Sequence, residues 1–95
     1  MPPQKNSIAS EFNQTGADFL KIELKTGLTF ASIAVGEEPG SEKRITNQAN
    51  ARKAYETVLR LRNRLEIPTE AITREIQNGL DQLRSALEEL GEKVT

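Results

Sequence analysis

Apolar side chains dominate residues 17–35, and their spacing decides which secondary structure this segment forms. Leu20, Ile22 and Leu24 alternate with charged residues, which is also typical of a β-strand. On a helix of about 100° per residue, however, the polar side chains collect into one narrow stripe, formed by Asp18, Lys21, Lys25, Thr29 and Ser32. The helix accounts for the whole segment, so we predict helix 1 over residues 15–35.

Both ends of helix 1 carry sequence signals. Thr15 and Asp18 have the spacing with which a hydroxyl and a carboxylate satisfy free backbone N–H groups at a helix start. Gly36 suits the left-handed conformation that ends many helices. Residues 1–14 are mostly polar and have prolines at positions 2 and 3. They are predicted to form a flexible N-terminal tail.

Helix 2 is predicted over residues 41–66. Ser41 is a good N-cap, although Thr46 is an alternative start, and Pro68 prevents the helix from continuing past residue 66. Apolar residues recur every three or four positions and define one inward face, comprising Ala51, Ala54, Tyr55, Val58, Leu61 and Leu65.

Helix 3 is predicted over residues 69–90, with Thr69 as its N-cap and Gly91 as its C-terminal glycine. Its apolar face is the sharpest in the chain and comprises Ile72, Ile76, Leu80, Leu83, Leu87 and Leu90. Short connections make successive helices antiparallel. We therefore predict an all-α antiparallel three-helix bundle over residues 15–91, followed by a C-terminal tail at 92–95.

Gly79 falls on the apolar face of helix 3. A glycine inside a helix costs about 1 kcal/mol relative to alanine. We expect another helix to approach closely there, with Phe19, Phe30 or Tyr55 filling the space; an unselected glycine at a tolerant site is the alternative.

Composition excludes several kinds of chemistry. The chain has no Cys and no His, which removes disulfides, thiol nucleophiles, Cys/His metal sites and imidazole catalysis. No carboxylates are spaced as a catalytic pair, so we expect no enzyme activity, no metal and no cofactor. Charged residues interrupt the best apolar run, so we expect no membrane span. The absence of cysteine fits a cytoplasmic protein.

Charge is distributed unevenly along a chain whose net charge is −1. Residues 43–66 contain seven Lys and Arg against two Glu, a balance of +5, and the flanking segments are acidic. Lys53, Arg60 and Arg64, here named the basic patch, share the outer face of helix 2. Nucleic-acid binding through this patch is an alternative function, although no aromatic residue accompanies these bases.

Helix 1 is apolar over more of its circumference than one neighbour can cover. One stripe is purely aliphatic or small and is expected to form core, comprising Leu20, Leu24, Leu28, Ala31 and Val35. The other stripe comprises Phe19, Glu23, Thr26, Phe30 and Ile33. Its candidate partner-binding residues are Phe19, Glu23, Thr26 and Phe30. Glu23 either pairs with Tyr55 or Arg52, reaches solvent at the helix edge, or serves as a polar specificity residue in the interface.

These observations favour a small non-enzymatic helical module that binds proteins, either as a homo-oligomer or with a helix of another protein.

Overall fold

The computed structural model describes the backbone of residues 3–65 and 69–94, and the side chains of residues 15–65 and 69–94. The described residues form three helices and no strand: α1 at Pro3–Gly36, α2 at Glu42–Arg62 and α3 at Glu70–Glu89. They pack into the predicted all-α three-helix bundle. Because α1 has 34 residues and is therefore about 51 Å long, the molecule is elongated, with extents of 60 × 20 × 17 Å.

The start of α1 was predicted wrongly. The helix begins at Pro3 rather than at Thr15, so Thr15 lies inside it and is not its N-cap. Residues 4–14 contain neither glycine nor proline, and a proline is well tolerated in the first turn, so nothing local interrupts the helix. That residues 1–14 form a flexible tail concerns motion and stays a prediction.

Helix α2 starts as predicted and ends early. The Ser41 hydroxyl accepts a hydrogen bond from the Arg44 backbone N–H at 3.2 Å, which is the expected N-cap contact. The helix ends at Arg62, four residues before the predicted end, and the N–H groups of Arg64 and Leu65 both bond to the carbonyl of Leu61. Residues 66–68, which contain the predicted proline stop, lie outside the described part of the chain.

Helix α3 has the predicted boundaries and caps. The Thr69 hydroxyl accepts from the Ile72 N–H at 3.1 Å. At the other end Gly91 has a φ of +98°, and the Glu92 N–H bonds to the Leu87 carbonyl at 3.1 Å. This is the Schellman arrangement, which requires the left-handed backbone that glycine adopts without strain.

The core lies along one face of α1, opposite the Leu-rich face of α3. Small residues on α1 and α2 bring these helices close together, and the larger side chains of α3 fill the remaining space. The buried positions of α1, here named the inner row, follow a heptad-like spacing: Ala17, Leu20, Leu24, Gly27, Ala31 and Ala34. Val35, which the sequence placed in the core stripe, is 52% exposed near the end of the helix.

The segment after Gly91, predicted as a tail, packs against the bundle. Val94 is only 5% exposed and belongs to the core cluster with Leu90. The Glu92 carboxylate contacts Arg52 on α2 at 2.6 Å. The described C-terminal residues therefore extend the bundle beyond helix α3.

Candidate functional site

The solvent side of α1 carries a line of large hydrophobic side chains. Phe19, Ile22 and Ile33 are 44%, 61% and 43% exposed. Thr26 lies between them and is exposed, and Phe30 is partly buried. These five residues, here named the outer row, recur every three or four positions and therefore form one continuous stripe along the helix.

Contacts of α1 with its neighbours show why the outer row stays uncovered. Helix α3 approaches one flank of α1, where Lys21 Nζ lies 3.4 Å from Glu75 Oε2 and Leu24 packs against Gly79. Helix α2 approaches the other side of the inner row, at Gly27. The outer row points away from both contacts, and only Phe30 among its members is partly buried against the core.

The predicted stripe and the observed surface overlap without being identical. Phe19 and Thr26 are exposed, whereas Glu23 and Phe30 are partly buried beside them. The predicted stripe did not contain Ile22, which is the most exposed of these residues. Its spacing, three residues after Phe19 and four before Thr26, was the signal that identifies it.

Glu23 does not have the partners proposed for it. Arg52 instead contacts Glu92 and Glu56, at 2.6 and 3.3 Å. Within the described part of the chain, Glu23 makes neither an ion pair nor a side-chain hydrogen bond, and it keeps partial access to solvent. It is therefore a carboxylate at the edge of the outer row, which was one of the three alternatives.

The basic patch lies on the solvent-exposed surface formed by α2 and the turn that follows it. Lys53 and Arg60 are exposed on the helix, and Arg64 is exposed in the turn. Two other arginines of α2 have partners in other parts of the bundle: Arg52 contacts Glu92 of the C-terminal segment, and Arg62 donates to Gln77 Oε1 of α3 at 2.5 Å. The five bases are thus divided between two sides of the helix.

A groove between α1 and α3, here named the α1–α3 groove, lies next to the outer row. It has a volume of about 600 Å³, with Leu24, Leu28 and Gly79 among its apolar lining residues. Asp18, Lys21 and Glu75 line it as well and are joined by ion pairs of 3.4 to 3.7 Å. Ile22 borders both the groove and the outer row, so these two surfaces are continuous.

A polar cluster fastens the C-terminal segment to α2. Glu92 accepts hydrogen bonds from Arg52 at 2.6 Å and from Gln48 at 3.1 Å. The hydrogen bond that Arg52 donates to Glu92 is the main reason that the pKa of Arg52 is raised. Burial opposes this rise, and the charges of Glu92 and Glu56 add to it. Arg52 Nε is buried and lies 3.3 Å from Glu56 without the alignment of a hydrogen bond. The cluster therefore holds the C-terminal segment against α2.

The described residues contain neither a candidate metal site nor a membrane-spanning helix. They contain no group of three or more acidic side chains placed to hold a metal ion. None of the helices, as far as they are described, is long and apolar enough to cross a membrane.

Comparisons of the chain with protein-family models, with curated proteins and with solved structures gave no match.

Proposed function

We propose that the protein is a small non-enzymatic helical module that binds another protein through the outer row of α1. The observation that carries this proposal is the line of Phe19, Ile22 and Ile33, all more than 40% exposed on a helix whose opposite side already forms the core. Hydrophobic residues scattered singly are ordinary, but a continuous apolar stripe along a helix is a typical docking surface.

The chemistry of the chain supports a binding role. Without His or Cys, the side chains left for catalysis are carboxylates, Lys, Tyr and hydroxyls. Two pairs of acids on the described surface are joined by a base: Lys21 pairs with Asp18 and Glu75, and Arg52 pairs with Glu56 and Glu92. These contacts link α1 to α3 and α2 to the C-terminal segment. A cytoplasmic location is part of the proposal, and the lack of cysteine supports it.

Two variants with a matched control test the proposal. Ile22→Ser and Ile33→Ser remove exposed apolar surface from the outer row. Ile45→Ser is the control, because Ile45 is 60% exposed, nearly the same as Ile22, but lies on α2 away from α1. All three variants are expected to retain the helical circular dichroism and the thermal stability of the parent.

Binding is then measured in two formats. Light scattering across a wide concentration range tests self-association, and retention of host proteins on the immobilised full chain tests binding to another protein. Ile22→Ser and Ile33→Ser are expected to abolish the complex, whereas Ile45→Ser leaves it unchanged. A monomer that retains nothing, or retention that is equally strong for all variants, would refute the proposal.

Nucleic-acid binding is the second candidate, and the exposure of Lys53, Arg60 and Arg64 favours it. Affinity for a DNA or RNA duplex should then fall steeply with salt and with Arg60→Ala. If the parent and Arg60→Ala bind the duplex with equal affinity, the basic patch does not bind nucleic acid and this second candidate is refuted.

A further inference from the structure

The outer row and the basic patch lie on the same face of the molecule. Helix α3 contacts α1 on the flank that carries Lys21 and Leu24, and it contacts α2 on the side that carries Arg62. The side of the α1–α2 pair remote from α3 therefore presents the outer row of α1 beside the basic patch of α2. Partly buried residues on this seam, Phe30 from α1 and Thr57 from α2, join the two surfaces.

The register between the helices places the bases beside the apolar groups. Gly27 lies against Ala54, and Gly16 lies against Leu65. These two contacts are eleven residues apart on both segments, so the antiparallel register is the same at both contacts. At 1.5 Å per residue this alignment puts Lys53 level with the middle of the outer row, and Arg60 level with the segment between Phe19 and Ile22. Interhelical spacings of roughly 8–10 Å keep the bases within reach of a partner bound on the outer row.

We propose that this face binds an amphipathic helix of another protein, whose apolar stripe covers the outer row and whose acidic edge meets the basic patch. The inference rests on the proposed function and specifies the chemistry of the partner. From Phe19 to Ile33 the row extends over about 21 Å, the length of four helical turns. Charge complementarity fixes the orientation of such a helix, because acids on only one of its edges can face Lys53 and Arg60.

A second copy of this chain fits the same face less well. In an antiparallel pair joined through the outer rows, both α2 helices lie on the same side, so the two basic patches face each other. In a parallel pair each basic patch meets the opposite edge of α1, which offers one acid, Asp18, and the bases Lys21 and Lys25. Glu23, at the edge of the outer row, adds only one further acid per copy, so neither arrangement supplies the acidic edge that three bases require.

Three designed peptides of about 18 residues provide the test. They share one apolar stripe at helical spacing and carry Glu, Gln or Lys along one edge. Binding of each labelled peptide to the full chain is measured by fluorescence anisotropy at low salt and at about 0.5 M salt. The Glu peptide is expected to bind roughly tenfold more tightly than the Lys peptide at low salt, with a smaller ratio at high salt, because screening weakens exposed charge pairs.

Charge reversal on the protein separates the basic patch from general electrostatics. Arg60→Glu lowers the charge of the basic patch from +3 to +1. The preference for the Glu peptide over the Lys peptide should therefore fall from roughly tenfold towards equality. Arg74→Glu changes the net charge equally on an exposed position of α3 and should preserve the preference. Ile22→Ser should weaken the binding of all three peptides, whereas Ile45→Ser should leave their binding unchanged.

The outcomes distinguish this inference from the proposed function. If the three peptides bind equally and Ile22→Ser still abolishes binding, the acidic partner is wrong and the docking surface stands. If no peptide binds, and light scattering shows a dimer that Ile22→Ser dissociates, the occupant is a second copy. If the protein binds phosphatidylserine vesicles and none of the peptides, the ligand of this face is a membrane surface. If it binds DNA, and Arg60→Glu abolishes that binding whereas Ile22→Ser does not, the ligand is a nucleic acid.

Discussion

Gly27 of α1 meets Ala54 of α2 so closely that a β-carbon on Gly27 would lie 2.9 Å from the β-carbon of Ala54. The same atom would lie 2.7 Å from Leu83 Cδ2 of α3. All three helices therefore converge on one glycine. The Ala54 β-carbon is fixed to its backbone and cannot rotate away, so this contact sets the distance between α1 and α2.

Gly27→Ala is expected to destabilise the protein. Overpacking of a core contact costs about 1–3 kcal/mol, and the higher helix propensity of alanine returns about 1 kcal/mol. Because the Ala54 β-carbon cannot move aside, we expect a cost of about 2–3 kcal/mol, at the upper end of that range, and urea denaturation should therefore show a net loss of roughly 1–2 kcal/mol. Gly36→Ala is the matched control in the same helix, because no atom lies within 4 Å of its added β-carbon. A Gly27→Ala variant as stable as Gly36→Ala would contradict the observed contact.

Gly79→Ala should be milder, although the nearest atom is again closer than 3 Å. That atom, Leu24 Cδ1 at 2.8 Å, is the end of a flexible side chain, and the other Leu24 atoms lie at 3.5 Å. Rotation of Leu24 relieves the clash, and the gain in helix propensity offsets the strain, so we expect a change within about 1 kcal/mol. The order of the denaturation midpoints, Gly79→Ala above Gly27→Ala, is the measurement that tests this distinction.

The sequence predicted those features that depend on neighbouring residues. Thr69 and Gly91 delimit α3 because a hydroxyl cap and a left-handed glycine act within one helical turn. The same local argument located Ser41. It failed at Thr15, because a good capping residue inside a helix-compatible segment does not by itself start a helix. It also failed at Gly36, which is the last residue of α1 and does not have the left-handed conformation expected of it.

Features that depend on the register between helices were beyond local patterns. Close packing at Gly79 was predicted correctly, but the neighbour is Leu24 rather than an aromatic residue. The pairing of Arg52 with Glu92 spans 40 residues of sequence, and Glu23 consequently lost its expected partner. At the candidate site, the residue spacing within α1 identified part of the outer row. That the outer row lies beside the basic patch follows only from where α3 packs against α1 and α2.

Glu92→Gln tests whether the polar cluster fastens the C-terminal segment. The raised pKa of Arg52 keeps this guanidinium charged at any ordinary pH, so its contribution is present below that pKa and is lost only in extreme alkali. Because both side chains retain some solvent access, the loss should be about 0.5–1 kcal/mol.

Hydrogen exchange should show the effect of Glu92→Gln most clearly at the Glu92 amide, which bonds to the Leu87 carbonyl. Glu89→Gln removes a charge from an exposed position three residues away and serves as the control. Equal exchange rates in the two variants would mean that Glu92 contributes nothing to the attachment.

Gly91→Ala should destabilise the protein through backbone strain alone. Gly91 has a φ of +98° and nothing lies within 4 Å of its added β-carbon, so a steric clash with neighbours is excluded. An L-residue in this conformation costs about 1–2 kcal/mol. Gly91→Asn should lose less, because asparagine tolerates left-handed geometry better. Thermal denaturation should therefore rank the parent above Gly91→Asn and Gly91→Asn above Gly91→Ala, and a reversed order would contradict the Schellman geometry.

Leu20→Ala and Ile22→Ala compare the two sides of α1 with side chains of equal size. Leu20 is fully buried in the inner row, so its truncation leaves a cavity and should cost about 2–5 kcal/mol. Ile22 is 61% exposed, and alanine favours the helix more than isoleucine does, so its truncation should change stability by less than about 0.5 kcal/mol. Both free energies are measured by urea denaturation at a low and at a high protein concentration. If Ile22→Ala instead lost several kcal/mol, and the loss grew with protein concentration, then Ile22 would be covered in solution by a second copy, and the outer row would not be available to another protein.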